Sequence, residues 1–363
     1  MNGFDEGKVR LAVDYGTTTV GYAYVSENGD VVDTGMVENP GRKYGRDVIS
    51  RIKAYSVGAG ERITGAMREV ISSLLEAYPG GKDGSFISDD IVVSANTVMN
   101  HMLLGYPCEG LATAPYTVET LEAVHFKDDG LSFRTLPGFS PFVGGDIVSG
   151  VRSLGMDESD EINLLIDLGT NGEMVLGNKD GFIVSSVAAG PAFEEWGAAH
   201  NMYGSGVIDI CYRLLRTGII DKNGTFVNDA YIESGFPVSG SGESSVILTQ
   251  DDIRDIQLAK AAVRAGVELL VSAYGISYDD ISHVFLAGGM GEHLSVGSAI
   301  GIGMLPEGRP VIESVGNASL SGAIEEALHP DYDRLLRITK MGRPILLSDD
   351  PVFNETFVKH MSF

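Results

Sequence analysis

Leu11-Ala12-Val13-Asp14-Tyr15-Gly16-Thr17-Thr18-Thr19-Val20 returns in outline as Leu164-Leu165-Ile166-Asp167-Leu168-Gly169-Thr170-Asn171-Gly172-Glu173-Met174, with 153 residues from Asp14 to Asp167. Each copy is an apolar strand that ends in Asp, then a Gly-Thr turn, then a second strand. The glycine lets the backbone turn tightly, so that successive N–H groups aim at one centre, and the threonine hydroxyls add donors. That is a cradle for phosphate. A carboxylate beside it repels phosphate but can hold Mg²⁺ or its waters. One Asp-x-Gly-Thr is most simply a hairpin turn. Two copies in the same strand–turn–strand setting point to two domains of one topology, each offering a turn to a shared polyphosphate and its metal. The period is too long for a solenoid.

Outward from the first copy, Val9–Val13, Val20–Val25 and Val31–Val37 read as an antiparallel meander, with Asn28-Gly29 as a hairpin turn. Helices are predicted over Gly45–Ser56 and Ile63–Tyr78 from their apolar spacing. A buried strand is predicted at Ile91–Ser94, a helix at Thr97–Leu104, mixed extended chain over Leu111–Leu136, and a short apolar helix at Ile147–Leu154. After the second copy come strands Met174–Gly177 and Phe182–Ala188 and a helix near Val207–Leu215. A long helix, Gln250–Ala273, follows Thr249 as N-cap. Val284–Ala287 is a buried strand opening into Gly288-Gly289-Met290-Gly291, where backbone can approach a flat group closely. Ala318–Leu328 reads as a helix whose small residues at its start suit either close helix packing or a ligand, and Arg343–Ser348 as a late strand.

The chain has 363 residues, 44% hydrophobic and 21% charged, with 47 glycines. That length suits two domains. A formal net charge of −24 disfavours nucleic acid and anionic membrane surfaces as partners. Nucleotide binding would then need a cation and locally aimed N–H groups. The two cysteines, Cys108 and Cys211, cannot hold an iron–sulfur cluster and read as buried thiols. The seven histidines form no ligand pattern, and lone histidines such as His101, His125, His200 and His293 are more often structural. No signal peptide and no run of 18 apolar residues is present, so a cytoplasmic location is expected.

With these pieces the chain resembles the superfamily of acetate and sugar kinases, heat-shock chaperones and actin. Within it, the chain is similar to the ATP-dependent reductive activators of corrinoid proteins. The shared stretches, beyond the two turns, are Asn39-Pro40 leading to the run from Tyr44, and N-T-V-M from Asn96 with H-M-L-L-G from His101. Further on are V-G-G-D-I from Val143, A-A-G-P-A-F-E from Ala188, and V-G-N-A-S-L-S-G-A from Val315. Departures are Ala95, Gly41 and Glu195. The resemblance implies an α/β, two-domain actin-like ATPase fold, each domain a mixed sheet flanked by helices, with an interdomain nucleotide cleft. The domains would be 1–155 and 156–363, with the last ~40 residues packing back on the first. Thr97–Leu104 and Ala318–Leu328 stand where the connecting helices should be.

It further implies ATP and Mg²⁺ as cofactors. Asp14 and Asp167 would hold the metal and act in catalysis with Glu173. Gly16, Thr17, Thr18, Thr19, Gly169, Thr170, Asn171 and Gly172 would take phosphate, and Gly288, Gly289, Gly291 and Asn317 the adenosine side. The implied activity is ATP use coupled to reduction of a corrinoid protein, or a corrinoid-dependent methyltransferase, from cobalt(II) to cobalt(I). The iron–sulfur domain usual in that family is missing from this sequence, so electrons would come from a separate iron–sulfur partner. A homodimer stays open. Two other readings stand beside this one: a small-molecule kinase acting on a sugar or carboxylate, with Asp146 as candidate base, and a non-catalytic ATP-gated binding module. Asn39, Tyr44, Asp47, Ser50 and Arg51 either face the nucleotide or cap the following helix.

Overall fold

The opening meander forms because Gly29, at φ +90°, closes the Asn28-Gly29 turn in the left-handed region that glycine adopts without strain. It joins β2 (Thr19–Ser26) to β3 (Val31–Glu38), while the Asp14–Thr19 turn joins β1 (Val9–Tyr15) to β2. The computed structural model describes residues 9–45, 47–78, 90–169, 171–189, 205–239, 246–291, 294–347 and 350–363. Contacts within the chain divide it into two compact units. The first holds Met1–Ser159, Lys179–Gly181 and Ala318–Pro344; the second holds Asp160–Asn178, Phe182–Asn317 and Ile345–Phe363.

In the first unit the sheet runs β3-β2-β1-β4-β6-β5, with β4 at Asp90–Ala95, β5 at His125–Asp128 and β6 at Leu131–Thr135. β2 is antiparallel to β1, while β4 runs parallel to β1 and pairs Asp14 with Ser94. Leu11, Val13 and Tyr15 bury against Ile63, Met67 and Ile71 of the helix Gly60–Glu76. The helix Ala318–Leu328 lies on β1 and β4 and crosses the helix Gly145–Ser153, where a side chain on Gly322 would collide with the Ser149 carbonyl. Gly322 thus serves close helix packing. The helical partner of Ala318–Leu328 is Gly145–Ser153. Arg152, buried, pairs with the equally buried Glu326 across this crossing, and Arg334 grips Asp157 through two bonds of 2.8 and 2.9 Å.

In the second unit β7 (Asn163–Leu168), β8 (Gly172–Asn178) and β9 (Gly181–Val187) repeat the meander, and β10 (Phe236–Ser239) and β11 (Val246–Leu248) form a small antiparallel ribbon. β12 (His283–Ala287) and β13 (Val311–Gly316) complete the order β13-β12-β7-β8-β9, with β12 parallel to β7 and Ala287 opposite Asp167. Leu164, Ile166 and Leu168 pack with Val207, Cys211 and Leu214 of the helix Gly206–Arg216 and with Ile256 and Val263 of the helix Gln250–Tyr274. Thr249 and Asp252 form the capping box that starts this last helix.

Several sequence expectations are corrected. Of the helix drawn over Gly45–Ser56 the regular part is Val48–Ala54, which Asp47 caps and a 3₁₀ turn at Pro40–Tyr44 precedes. A π turn at Tyr55–Ala59 then leads into Gly60–Glu76, because Gly58 at φ +103° breaks the regular helix. Leu111–Leu136 contains the hairpin β5–β6, and the late strand is only Gly342–Pro344. Two helices, Tyr332–Met341 and Pro351–Lys359, were not anticipated. No helix among the described residues is long and apolar enough to cross a membrane.

Candidate functional site

The first turn is fixed from three directions. Gly16 is required there, since a Cβ would sit 2.7 Å from the Thr19 carbonyl oxygen. Asn39, fully buried just after β3, spans the turn. Its Nδ2 donates to the Gly16 carbonyl at 2.7 Å, and its backbone N–H donates to the Thr18 carbonyl at 3.0 Å. Across a trans peptide the C=O of one residue and the N–H of the next point in opposite directions. Holding the Gly16 carbonyl therefore aims the Thr17 N–H away from Asn39. Behind Asn39 lies Arg51, also fully buried. Its guanidinium donates to the Gly45 carbonyl at 3.1 Å and meets Met99 Sδ at 3.2 Å, the same sulfur that Asn39 approaches at 3.5 Å. Burial pushes the Arg51 pKa down to about 10, so it keeps its positive charge at neutral pH beneath a turn suited to anions.

From the side, Asn96 Nδ2 donates to Thr17 Oγ1 at 3.0 Å, and Ser319 Oγ donates to Asp14 Oδ1 at 2.7 Å. Ser94 Oγ lies 2.9 Å from Ser319 Oγ, so the strand pair β1–β4 and the start of Ala318–Leu328 meet at Asp14. The V-G-G-D-I stretch closes on the same place. A Cβ on Gly144 would lie 2.5 Å from Asn96 Cα, and one on Gly145 2.8 Å from the Leu136 carbonyl oxygen. Asp146 follows in the first turn of Gly145–Ser153 and accepts the Ile147 N–H at 2.9 Å. Burial, and then the negative charge of Asp14, push its carboxyl pKa up to about 7. Four stretches that the sequence shows separately are thus one cluster: the Asp14 turn, Asn39, Asn96-Thr97 and Gly144-Gly145-Asp146, joined by Ser319.

The second turn is built differently. Gly169 N–H donates to the Asn171 carbonyl at 3.0 Å, and Asp167 lies opposite Glu173 across β7–β8. Gly288, at φ +84°, lies against Asp167: a Cβ there would be 2.6 Å from Asp167 Oδ1 and 2.8 Å from the Leu168 carbonyl oxygen. A Cβ on Gly291 would lie 3.0 Å from the Leu286 backbone, whereas one on Gly289 would meet open space. Gly172 is turned inward, where a Cβ would meet Val187 Cγ2 at 2.9 Å. Glu173 is buried, and Asn317 is half-buried at the end of β13. Thr170, Glu195, His200 and His293 lie outside the described residues, as does most of A-A-G-P-A-F-E. Cys108 and Cys211 are buried, and burial pushes both thiols up to about 12.

Asn96 and Ser319 are additions to the sequence-based site, and Asn39 and Asp146, named there as a residue facing the nucleotide or capping a helix and as a candidate base, join them. All four sit in stretches that carry the family resemblance, but only the fold shows that they converge on Asp14 and Thr17. The donor set fits a magnesium nucleotide. Mg²⁺ takes one or two carboxylates beside waters and phosphate oxygens, and Asp14 offers one of them in the first unit.

The chain matches two family models, the RACo middle region over residues 9–159 and the C-terminal, ASKHA domain of RACo over residues 161–203 and 195–363. It is 30% identical to the corrinoid activation enzyme RamQ of Eubacterium limosum, over 97% of this chain and 70% of RamQ. It is 23% identical to the [Co(II) methylated amine-specific corrinoid protein] reductase of Methanosarcina barkeri, over 62% of this chain and 51% of that protein. A solved reductive activator for corrinoid, iron–sulfur protein superposes with a TM-score of 0.88 at 31% identity, covering 99% of this chain and 67% of that one. The chain belongs to the family of reductive activators of corrinoid proteins, ATP-using enzymes of the actin-like ATPase superfamily.

Proposed function

We propose that this chain binds Mg-ATP and couples its hydrolysis to the reduction of a corrinoid protein from cobalt(II) to cobalt(I), the electron coming from a separate iron–sulfur partner. The observation that carries the reading is the likeness to a corrinoid activation enzyme over 97% of the chain. Magnesium would neutralise phosphate charge as the γ-phosphoryl group is transferred to water. Asp14, oriented by Ser319, would hold that metal or its waters, with Asp167 doing the same from the second turn. Gly16, Thr17, Thr18, Thr19, Gly169, Thr170 and Asn171 would offer N–H and hydroxyl donors to phosphate, with Arg51 lending positive charge from behind. Gly288, Gly289, Gly291 and Asn317 would line the adenosine side, and Glu173 would orient water. Gly172 belongs to this list only through its backbone, because its inner face is packed.

Asp146 is the group best suited to accept a proton from the attacking water. A base with a pKa near the working pH is ionised often enough to act and still basic enough to take the proton. The same carboxylate could serve a small-molecule kinase, which is the one observation on that side. Purified chain, Mg-ATP, a cobalt(II) corrinoid protein and an iron–sulfur donor separate the readings. Phosphate release and cobalt(I) formation, followed by absorbance, should each require the other. ATP turnover indifferent to any corrinoid protein, with no binding to one, would remove the proposal, and a phosphorylated sugar or carboxylate would replace it with the kinase.

A further inference from the structure

We infer that Asn96 is a positioning residue that makes the Thr17 hydroxyl a hydrogen-bond donor to phosphate. The inference rests on the reading of the Asp14–Thr19 turn as a phosphate cradle and adds the device that sets its polarity.

A threonine hydroxyl has one proton and can turn it toward whichever neighbour accepts. An anionic ligand needs that proton, so a turn that binds phosphate gains if no protein acceptor competes for it. Asn96 provides this. It is the N-cap of Thr97–Leu104, and its Oδ1 accepts the Met99 N–H at 2.9 Å. With the oxygen committed to the helix, the amide can present only its NH₂ to Thr17, and Nδ2 stands 3.0 Å from Thr17 Oγ1. Thr17 Oγ1 must then accept, and its own proton is turned away from Asn96. The helix start is held in place by the absence of a side chain on Gly144, whose Cα packs on the Asn96–Thr97 backbone. Thr17 is buried to 8% exposure, so water competes little for the proton.

This arrangement separates asparagine from aspartate, although the two are about equal as N-caps. In Asn96→Asp one carboxylate oxygen keeps the Met99 N–H. The other becomes an acceptor at the place of Nδ2 and draws the Thr17 proton to itself. The helix stays capped while the turn loses a donor. Mg-ATP binding by the wild type, N96D, Thr17→Val and the double variant, measured by calorimetry beside a thermal melt, tests this. N96D and T17V should each weaken binding by roughly tenfold, the scale of one hydrogen bond to a charged oxygen. The double variant should be no weaker than the worse single one. Full multiplication of the two losses means that the aspartate acts by charge repulsion alone and overturns the inference, as does N96D binding like the wild type. If N96D melts early, Asn96→Ser takes its place. Serine keeps the cap but leaves the Thr17 proton free to rotate, so a loss of about threefold or less is expected, and a loss as large as that of T17V refutes the proposal. Failure of the wild type itself to bind Mg-ATP overturns the cradle and the inference together.

Discussion

Laid strand on strand, β3-β2-β1-β4-β6 of the first unit corresponds to β9-β8-β7-β12-β13 of the second, and Asp14 falls at the position of Asp167. In both units the Asp ends a central strand that has an antiparallel hairpin on one side and a parallel strand on the other. The surroundings differ. Asp14 is met by a side chain, the Ser319 hydroxyl, and its turn is held by the amides of Asn39 and Asn96. Beside Asp167 lies Gly288, where any side chain would collide with the carboxylate. One framework thus places its two carboxylates in different surroundings, one beside a serine hydroxyl and one beside a glycine that admits no side chain. A hydrogen bond can be deleted and leave a weakened site. A backbone packed within van der Waals reach leaves no room for any addition.

The contrast predicts unequal damage. Gly288→Ala would place a methyl 2.6 Å from Asp167 Oδ1 at a φ of +84°, so both sterics and backbone oppose it. Loss of Mg-ATP affinity on the order of a hundredfold is expected, a displaced carboxylate being worth a charge-assisted interaction or more. Ser319→Ala removes one bond to Asp14 and should raise the Mg²⁺ concentration needed for half-maximal ATP binding by about tenfold at most. Calorimetry with Mg²⁺ titrated at fixed ATP compares the two. Equal effects would abolish the distinction between the turns.

A smaller effect sharpens the chemistry of the first turn. Asp146 acts as a base only when ionised, so turnover should climb as pH rises through about 7, and Asp146→Asn should remove that limb. Stability runs the other way. A carboxyl whose folded pKa is raised favours the fold below the unfolded pKa, and this contribution is lost as pH rises through the folded value. Asp146→Asn should therefore be the slower enzyme and, at pH 8, the more stable protein, by on the order of 2 kcal/mol in urea denaturation. An asparagine variant that is slower and no more stable at pH 8 would mean that Asp146 is not strained by its neighbours.

The framework was legible because it is periodic. Two apolar strands ending in Asp-x-Gly-Thr announce a duplicated sheet, and Thr249 ahead of Asp251-Asp252 announces the long helix. The turn residues were readable as types. What the sequence could not show is convergence. Asn39, Asn96 and Ser319 are 23, 79 and 305 residues from their partners Gly16, Thr17 and Asp14, and no local spacing reports such a contact. The break at Gly58 falls between the two helices read from apolar spacing, Gly45–Ser56 and Ile63–Tyr78, but the π turn that makes it has no signal in that spacing. Asp350-Pro351, by contrast, was a usable start signal, an N-cap followed by proline at the first helical position. Gly172 belongs to the turn's sequence, and its place in β8 turns the side that a Cβ would occupy toward Val187.

The smallest expected effect concerns how the first turn's clasp is itself held. His101 lies in the helix that Asn96 starts, and it is buried to 1% exposure. Its Nδ1 bonds the Thr97 carbonyl at 2.8 Å, and Nε2 accepts the Glu119 N–H at 3.1 Å, which requires the neutral tautomer protonated on Nδ1. Burial holds its pKa below the usual histidine range. With a depressed folded pKa, nothing is lost while both states are neutral above about 6.5. As pH falls below that, the opened form takes up a proton that the closed form refuses, and the helix loosens. Amide hydrogen exchange in Thr97–Leu104, corrected for the intrinsic pH dependence, should show protection falling by roughly tenfold or less between pH 7.5 and 5.5. The amides of Gln250–Tyr274, which do not depend on His101, should change less, and His101→Gln should flatten the difference. Protection that falls equally in both helices would place the acid sensitivity outside the clasp and leave the two turns equally robust to pH.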